Sequence, residues 1–309
     1  FGQHTRSLSI MLGTGEIVSA SPLENADLYY ATCAGMGLTG VILSATIQLL
    51  PIKSSLIRQK VIKANCIEAA CEAFENNNSS TYSVAWIDCL SMGKNLGRSV
   101  LMLGEHLNEG TLELDIKPPL TIPFTTPSVF LNSYTIKTLN ASYWFKSKHN
   151  KTNIVKIMPF FYPLDMIGAW NKFYGKAGFL QFQCVIPMAD GVSNLRTLLK
   201  EIAMSGEGSF LAVLKKFGRA NNNLLSFPIE GYTLALDFKL TSSALNMLGR
   251  LENIVMDMGG RIYLTKDAVM QEATFKYMYP NWEIFESVRA KYGAIGKFSS
   301  MQSKRLGLS

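Results

Sequence analysis

The order of strand-like and helix-like segments in the second half of the chain constrains its fold most. Alternating apolar and polar residues predict strands over residues 179–186, 210–217 and 232–238. Apolar residues at helical spacing predict helices over residues 192–203, after the first strand, and 241–258, after the last. Strands alternating with amphipathic helices predict an α+β fold, in which helices cover one side of an antiparallel sheet.

The first half of the chain shows similar signals up to residue 103. Strand patterns occupy residues 7–11, 16–20, 41–50, 82–88 and 99–103, and helix patterns occupy residues 22–34 and 66–75. Residues 104–150 differ, because they contain four prolines and no clear helical period. A stretch of this length without regular structure predicts a functional or mobile loop. Residues 137–156, which overlap its end, are rich in lysine and aromatic residues.

Composition sets limits on the class of protein. With 309 residues, of which 48% are hydrophobic and 17% charged, the chain can form two domains with a large core. It begins at Phe1, so we expect it to be part of a longer protein. The net charge of +7 favours anionic partners such as phosphates or an anionic lipid surface. Nucleic acid is not an expected partner, because zinc-finger spacing and long basic runs are absent from the sequence.

Cysteine and histidine usage argues against disulfides and metal sites. The five cysteines include no C-x-x-C pair, so we expect reduced and mostly buried thiols, as in a cytoplasmic protein. Three histidines cannot supply a local metal cluster, so no metal is predicted. No apolar run reaches the length of a membrane span.

Lys266 is the strongest candidate for a chemical role. It ends the strand-like run of residues 259–266, where a side chain can project into a cleft. The pKa of a lysine falls readily on burial, which makes lysine a possible base near neutral pH. The alternative is that Lys266 pairs with Asp267 or another acidic neighbour.

Other candidates have equally plausible structural roles. Gly35, Gly37 and Gly40 could let backbone approach a phosphate or flat ring, or could simply form a tight turn from helix to strand. They follow a helix, which argues against a Rossmann site. Gln181 and Gln183 share one strand face, which suits a polar pocket or an exposed face. Lys215 could hold an anion or be a solvated strand lysine.

Many short segments, in one order, resemble a known family. They are residues 1–7, 35–40, 41–51, 83–88, 96–98, 162–166, 170–171, 178–183, 209–211, 215–218 and 225–228, together with the region from 259 to 300. In this order they are similar to flavin-dependent sugar-alcohol oxidases of the vanillyl-alcohol-oxidase superfamily, in particular the decaprenylphosphoryl-ribose oxidase family.

The resemblance implies a domain organisation and a cofactor. Residues 1–52 and 261–309 would form the second subdomain of a PCMH-type FAD-binding domain, and residues 53–260 the substrate domain. The subdomain that carries the pyrophosphate loop in this superfamily is absent from the sequence. We therefore expect residues 1–309 alone to bind FAD weakly or not at all.

The resemblance also implies roles for individual residues. Lys266 would be the catalytic residue and would contact the flavin. The implied substrate-binding residues are Gln181, Gln183, Lys215, Trp86, Val213, Phe217 and Phe161. The other implied cofactor-binding residues are His4, Gly35, Gly37, Gly40 and Tyr263. The chain departs from the family pattern at four cavity positions, where it has Phe161, Tyr162, Thr233 and Ala235.

The implied activity is oxidation of a sugar hydroxyl of a polyprenyl-phosphate pentose to a ketone, within bacterial cell-wall biosynthesis. A short-chain NAD(P)H reductase would be the partner that completes an epimerisation. A lipid substrate implies peripheral contact with the inner membrane, or a location on its periplasmic face, with residues 104–150 as a lid or membrane-facing edge. The alternatives are a flavin oxidase of a soluble polyol or aldonolactone, and a non-catalytic module that binds a lipid or a partner.

Overall fold

The computed structural model of the chain describes residues 2–114, 118–127, 132–209 and 211–308. The strands are β1 (Thr5–Met11), β2 (Ile17–Ala20), β3 (Val41–Ile47), β4 (Leu56–Ala64), β5 (Tyr82–Ile87), β6 (Ser99–His106), β7 (Leu120–Thr121), β8 (Lys151–Lys156), β9 (Ile167–Gly168), β10 (Phe179–Pro187), β11 (Val213–Phe217), β12 (Gly231–Lys239) and β13 (Arg261–Ile262). The helices are α1 (Ala26–Thr32), α2 (Ile67–Asn76), α3 (Ser133–Lys146), α4 (Ile157–Phe161), α5 (Gly191–Ser205), α6 (Ser242–Asp257), α7 (Glu272–Met278), α8 (Trp282–Lys291) and α9 (Met301–Arg305).

An eight-stranded sheet dominates the fold, in the order β13-β10-β12-β11-β5-β6-β4-β8. Every neighbouring pair in it is antiparallel. Helices α2, α5 and α6 pack on one face, and the main core lies between them and alternate strand residues such as Phe182, Leu214 and Leu234. The predicted α+β fold, with an antiparallel sheet covered by helices, is confirmed.

The opposite face of this sheet carries the other half of each strand. Because side chains alternate along a strand, residues of the opposite parity from the core set share this second face. They include Gln183 on β10, Thr233 on β12, Lys215 on β11 and Trp86 on β5. We call it the open face.

A smaller antiparallel sheet, in the order β2-β1-β3, lies at the start of the chain. Helix α1 buries Leu28 and Tyr29 against Leu8 and Ile10 of β1. All seven residues of β3 are exposed, although most of them are apolar. The glycine-rich segment of residues 35–40 leads directly into β3.

Helix α3 corrects the prediction that residues 104–150 lack regular structure. It begins at a capping box, in which the Asn132 side chain accepts from the backbone N–H of Thr135 and the Thr135 hydroxyl accepts from that of Asn132. Its apolar residues lie all around the helix, from exposed Tyr134 and Phe145 to buried Trp144. The sequence therefore has no amphipathic period there, and the pattern-based prediction missed the helix.

Two further boundaries differ from prediction. Strand β11 begins at Val213 rather than at residue 210, which lies outside the described residues. The expected strand ending at Lys266 is only the two-residue β13, followed by a 3₁₀ turn over Leu264–Lys266. Lys266 therefore lies on a turn beside the sheet.

The described residues include all five cysteines and all three histidines of the chain. All five cysteines are free thiols, and Cys71, Cys89 and Cys184 are buried, as predicted. Within that part of the chain, histidine, cysteine and acidic side chains form no group suited to a metal ion. Among the described helices, none combines the length and apolar character needed to cross a membrane.

Candidate functional site

Strand register aligns several predicted substrate residues in one row across the open face. Gln183 lies opposite Ala235, Ala235 opposite Val213, and Val213 opposite Trp86. Directly opposed residues in antiparallel strands have Cβ atoms about 5 Å apart. The row therefore places a polar amide, two small or apolar side chains and an indole side by side on four neighbouring strands.

Hydrogen bonds fix both glutamines. Gln181 Nε2 donates to Asp237 Oδ1 over 3.0 Å, and Gln183 Nε2 donates to Thr233 Oγ1, also over 3.0 Å. The Thr233 hydroxyl in turn donates to the carbonyl oxygen of Cys184 over 2.8 Å. Each glutamine thus uses its amide nitrogen within the protein, and its amide oxygen is the group it can offer to a hydroxyl.

The turn that carries Lys266 is tied to the edge of this row. The Tyr263 backbone N–H donates to the Gln183 carbonyl oxygen over 2.8 Å, and the Lys266 N–H donates to the Tyr263 carbonyl oxygen over 2.9 Å. Lys266 is half-buried there. The Asp267 carboxylate bonds to Arg305 over 2.8 Å, so the alternative pairing of Lys266 with Asp267 is not what the structure contains.

Charged groups interact within the site. Desolvation, and then the positive charge of Lys266, lower the pKa of Lys215, although the Lys215 side chain still reaches solvent. Burial raises the pKa of Asp237, while the hydrogen bond from Gln181 and the charge of Lys266 oppose that rise. The charge of Lys266 thus acts on the pKa values of both Lys215 and Asp237.

Aromatic rings flank the polar groups. The Tyr263 ring stacks on Phe227, with centroids 4.7 Å apart and planes 24° apart, and Phe227 meets the edge of Phe217 at 5.7 Å. On the other side, Trp86 packs against Tyr143 of α3 at 4.7 Å. These rings give the polar cluster an apolar border on two sides.

The glycine-rich segment lies next to the Lys266 turn, since Thr265 Oγ1 is 3.9 Å from Met36 Sδ. A Cβ at Gly35 would lie 2.3 Å from the Ala31 carbonyl oxygen, and one at Gly40 would lie 2.6 Å from an Ile10 methyl carbon. Packing alone therefore requires glycine at both positions. Gly37 differs, because its φ is +74° and no atom lies within 4 Å of its Cβ position.

Two predicted site residues lie apart from this cluster. The Phe161 ring packs edge-on against Tyr82 at 4.7 Å, beside Phe160. Tyr82 shares the face of Trp86 but precedes it by four strand residues, about 13 Å along β5. His4 is exposed just before β1, and its carbonyl oxygen accepts from the Gln48 N–H over 2.7 Å.

The structure adds residues that the sequence analysis did not single out. The Asp237 carboxylate accepts from the Gln181 amide, and the Asp237 backbone N–H donates to Ser209 Oγ over 3.1 Å. Phe227 and Tyr143 complete the aromatic border. The alternation in residues 232–238 could have placed Asp237 on the face of Thr233, because both have the same parity.

Comparison with individual proteins identifies the family of this chain. No family model matches the chain. It is 34% identical, over 322 aligned residues, to decaprenylphosphoryl-beta-D-ribose oxidase of Mycolicibacterium smegmatis, an alignment that covers the whole chain and 69% of that protein. It is 24% identical, over 330 aligned residues, to the uncharacterised protein in the mprA 5′ region of Streptomyces coelicolor, covering the whole chain and 88% of that protein. The chain thus belongs to the decaprenylphosphoryl-beta-D-ribose oxidase family and is an oxidoreductase.

Proposed function

We propose that this chain is the catalytic part of an FAD-dependent oxidoreductase that oxidises a hydroxyl of a polyprenyl-phosphate pentose to a ketone. The substrate class follows the name of the Mycolicibacterium relative. The observation that carries the proposal is the meeting of Gln183, Lys215 and the Lys266 turn at one end of the open face. A cluster of two amines and two amides suits an anionic, hydroxyl-rich ligand.

Lys215 would bind the substrate phosphate. Its side chain is accessible, yet desolvation and Lys266 disfavour its charged form. A phosphate beside Lys215 would offset that penalty, because an anion stabilises the ammonium form of Lys215. Gln181 and Gln183 would accept from sugar hydroxyls, and the apolar row of Trp86 and Val213 would face the remainder of the sugar-lipid junction.

Lys266 would take the hydroxyl proton on Nζ. A neutral amine within hydrogen-bond reach of the hydroxyl can act as a general base. The 3₁₀ turn, held to β10 through Tyr263, would fix its position.

FAD is the proposed cofactor, and the residues fit a flat ring. The Tyr263 ring is supported from behind by Phe227, while Gly37 leaves open space beside the Lys266 turn. A bound flavin would supply the acceptor for the hydride that leaves the alcohol carbon.

The same proposal assigns the domains. Residues 1–52 and 261–309 would form the second part of a PCMH-type FAD-binding domain, and residues 53–260 the substrate domain. The seven exposed residues of β3 support this assignment, because an apolar strand of this kind is expected to be covered in a complete domain.

The product also implies a partner. A ketone formed from the sugar hydroxyl must be reduced on its other face to complete an epimerisation. That step needs a hydride donor other than the reduced flavin of the first step. We therefore propose a short-chain NAD(P)H reductase as the enzyme that consumes the product.

An anaerobic titration of the natural full-length protein tests the function. Its visible flavin absorbance should bleach on addition of a polyprenyl-phosphoryl ribose and remain unchanged with soluble polyols or aldonolactones. Bleaching by the soluble compounds alone would replace this proposal with a soluble-polyol oxidase. Purified protein without any flavin would favour a non-catalytic binding module.

A further inference from the structure

The net positive charge of this protein comes from one part of its sequence. Residues 116–189 contain eight lysines, one aspartate and no arginine, a net charge of +7. The whole chain also has a net charge of +7, from 30 basic and 23 acidic residues. Everything outside this stretch is therefore balanced, with 22 residues of each sign. Uncompensated positive charge of this kind attracts anions.

Three of these eight lysines lie where α3 ends and β8 begins. Lys146, Lys148 and Lys151 are exposed there, and none of the three forms an ion pair with a carboxylate of the described residues. Together with Tyr143 and Asn153 they line a cleft of about 260 Å³ that opens beside the open face. Their charge is thus available to a partner.

Exposed apolar side chains lie along α3, the helix that ends at these lysines. Tyr134, Leu139 and Phe145 of α3 are 81%, 56% and 77% exposed, while Ile136 and Trp144 on the other side of the helix are buried. Tyrosine, phenylalanine and leucine beside lysine are the side chains of helices that lie in a membrane interface. We call Tyr134, Leu139, Phe145, Lys146, Lys148 and Lys151 the α3–β8 surface.

The helix that carries this surface is firmly anchored. Asn140 Nδ2 donates to Asp88 Oδ1 over 2.9 Å, and Arg98 bonds to the other Asp88 oxygen over 2.8 Å. The Trp144 ring lies under Lys63 Nζ, 4.3 Å from the ring centroid. The exposed aromatic side chains therefore project from a fixed helix.

We propose that the α3–β8 surface docks the protein on an anionic lipid membrane. The lysines would meet acidic headgroups, and Tyr134, Leu139 and Phe145 would enter the interface. Lipid fits better than nucleic acid, because arginine, the preferred side chain for reading bases, is absent from this stretch. If the proposed function also holds, Tyr143 against Trp86 would keep the open face close to the membrane that contains the substrate.

Vesicle co-sedimentation of the full-length protein without substrate tests this docking. Binding is expected to vesicles that contain phosphatidylglycerol, to be much weaker to phosphatidylcholine alone, and to fall as salt rises. The triple variant Lys146→Gln, Lys148→Gln, Lys151→Gln should bind about 100-fold more weakly, at about fivefold for each lysine. The double variant Tyr134→Ser, Phe145→Ser should lose the binding that survives at high salt.

The matched control removes three exposed lysines elsewhere, with Lys94→Gln, Lys200→Gln and Lys304→Gln, and should bind like the wild type. Equal loss in both triple variants would overturn the proposal, because net charge alone would then explain binding. Absence of binding to anionic vesicles would overturn it as well. Flavin bleaching by substrate in detergent micelles should be unchanged in both triple variants, which separates this test from that of the function.

Discussion

Two adjacent lysines of β11 point to opposite faces of the large sheet, because side chains alternate along a strand. Lys215 lies on the open face, near Lys266, whereas Lys216 points to the helix side and pairs with Glu75 over 2.5 Å. The two residues have the same chemistry and differ by one position. They therefore form a natural pair for mutation, in which each lysine is the control for the other.

Lys215→Ala is expected to raise the KM for a polyprenyl-phosphate sugar about tenfold or more, because a hydrogen bond to a charged group contributes about 1.5–3 kcal/mol. Steady-state kinetics measure this effect. Lys216→Ala should leave KM unchanged and cost less than about 1 kcal/mol of stability, since its ion pair is partly exposed. Equal KM values for the two variants would contradict the assignment of Lys215.

The raised pKa of Asp237 predicts that the stability of the protein depends on pH. Burial raises its pKa in the folded state, so from about pH 4 upward the folded protein binds more protons than the unfolded chain. Its contribution to stability is therefore present at low pH and is lost as pH rises through the folded pKa. Asp237→Asn should raise Tm at pH 7 by about 2 °C, and the gain should shrink toward pH 4. A lower Tm at pH 7 would mean that the carboxylate is net stabilising.

The site could be predicted from sequence only in part. Resemblance identified Gln183, Lys215 and Lys266 as candidates, and strand alternation placed the two glutamines on one face. Asp237 was missed, because a single acid in an apolar strand gives no signal of its partner 56 residues away. The distance between Phe161 and the Lys266 turn likewise depends on tertiary packing, which local patterns do not contain.

Among the helices, α3 shows the limit of pattern analysis most clearly. Helices α5 and α6 were predicted within two residues, because each buries one apolar stripe against the sheet. Helix α3 has apolar residues both on the side that packs on the protein and on the exposed side. It therefore shows no single apolar stripe. Its contacts, the buried one with Asp88 and the ring contact with Trp86, involve residues distant in sequence.

The buried contact between Asn140 and Asp88 should determine how firmly α3 is held. Asn140→Ala removes a hydrogen bond to a buried carboxylate and is expected to cost about 2 kcal/mol of unfolding free energy, measured by denaturant titration. Trp86 fluorescence should shift to the red as Tyr143 loosens. Thr138→Ala, on the exposed side of the same helix, should cost under about 0.5 kcal/mol. Similar losses in both variants would show that Asn140 is not the anchor.

For the molecule as a whole, the fold class followed from the alternation of strands and helices, but the strand order did not. The pairing of β11 with β5 joins residues more than 120 positions apart, and β13 returns to the sheet beside β10. The small sheet leaves β3 exposed along its whole length. The contact of Thr265 with Met36 likewise joins residues 229 positions apart, and local patterns cannot specify such contacts.

Residues 1–309 expressed alone are expected to lose FAD on gel filtration. The full-length protein should retain it under the same conditions. The reason is that, in the proposed domain assignment, residues 1–309 supply only the second part of the FAD-binding domain. Absorbance of the protein peak at the flavin band measures retention. A stoichiometric flavin on residues 1–309 would contradict this expectation and would place the whole cofactor site within them.

The most direct test of the central claim is single-turnover reduction of the full-length enzyme by a polyprenyl-phosphoryl ribose, with Lys266→Ala beside wild type and Lys216→Ala. If Lys266 takes the hydroxyl proton at the open face, its loss should slow flavin bleaching at least about 100-fold while the flavin remains bound. Lys216→Ala should bleach at the wild-type rate. Wild-type bleaching in Lys266→Ala would contradict the account.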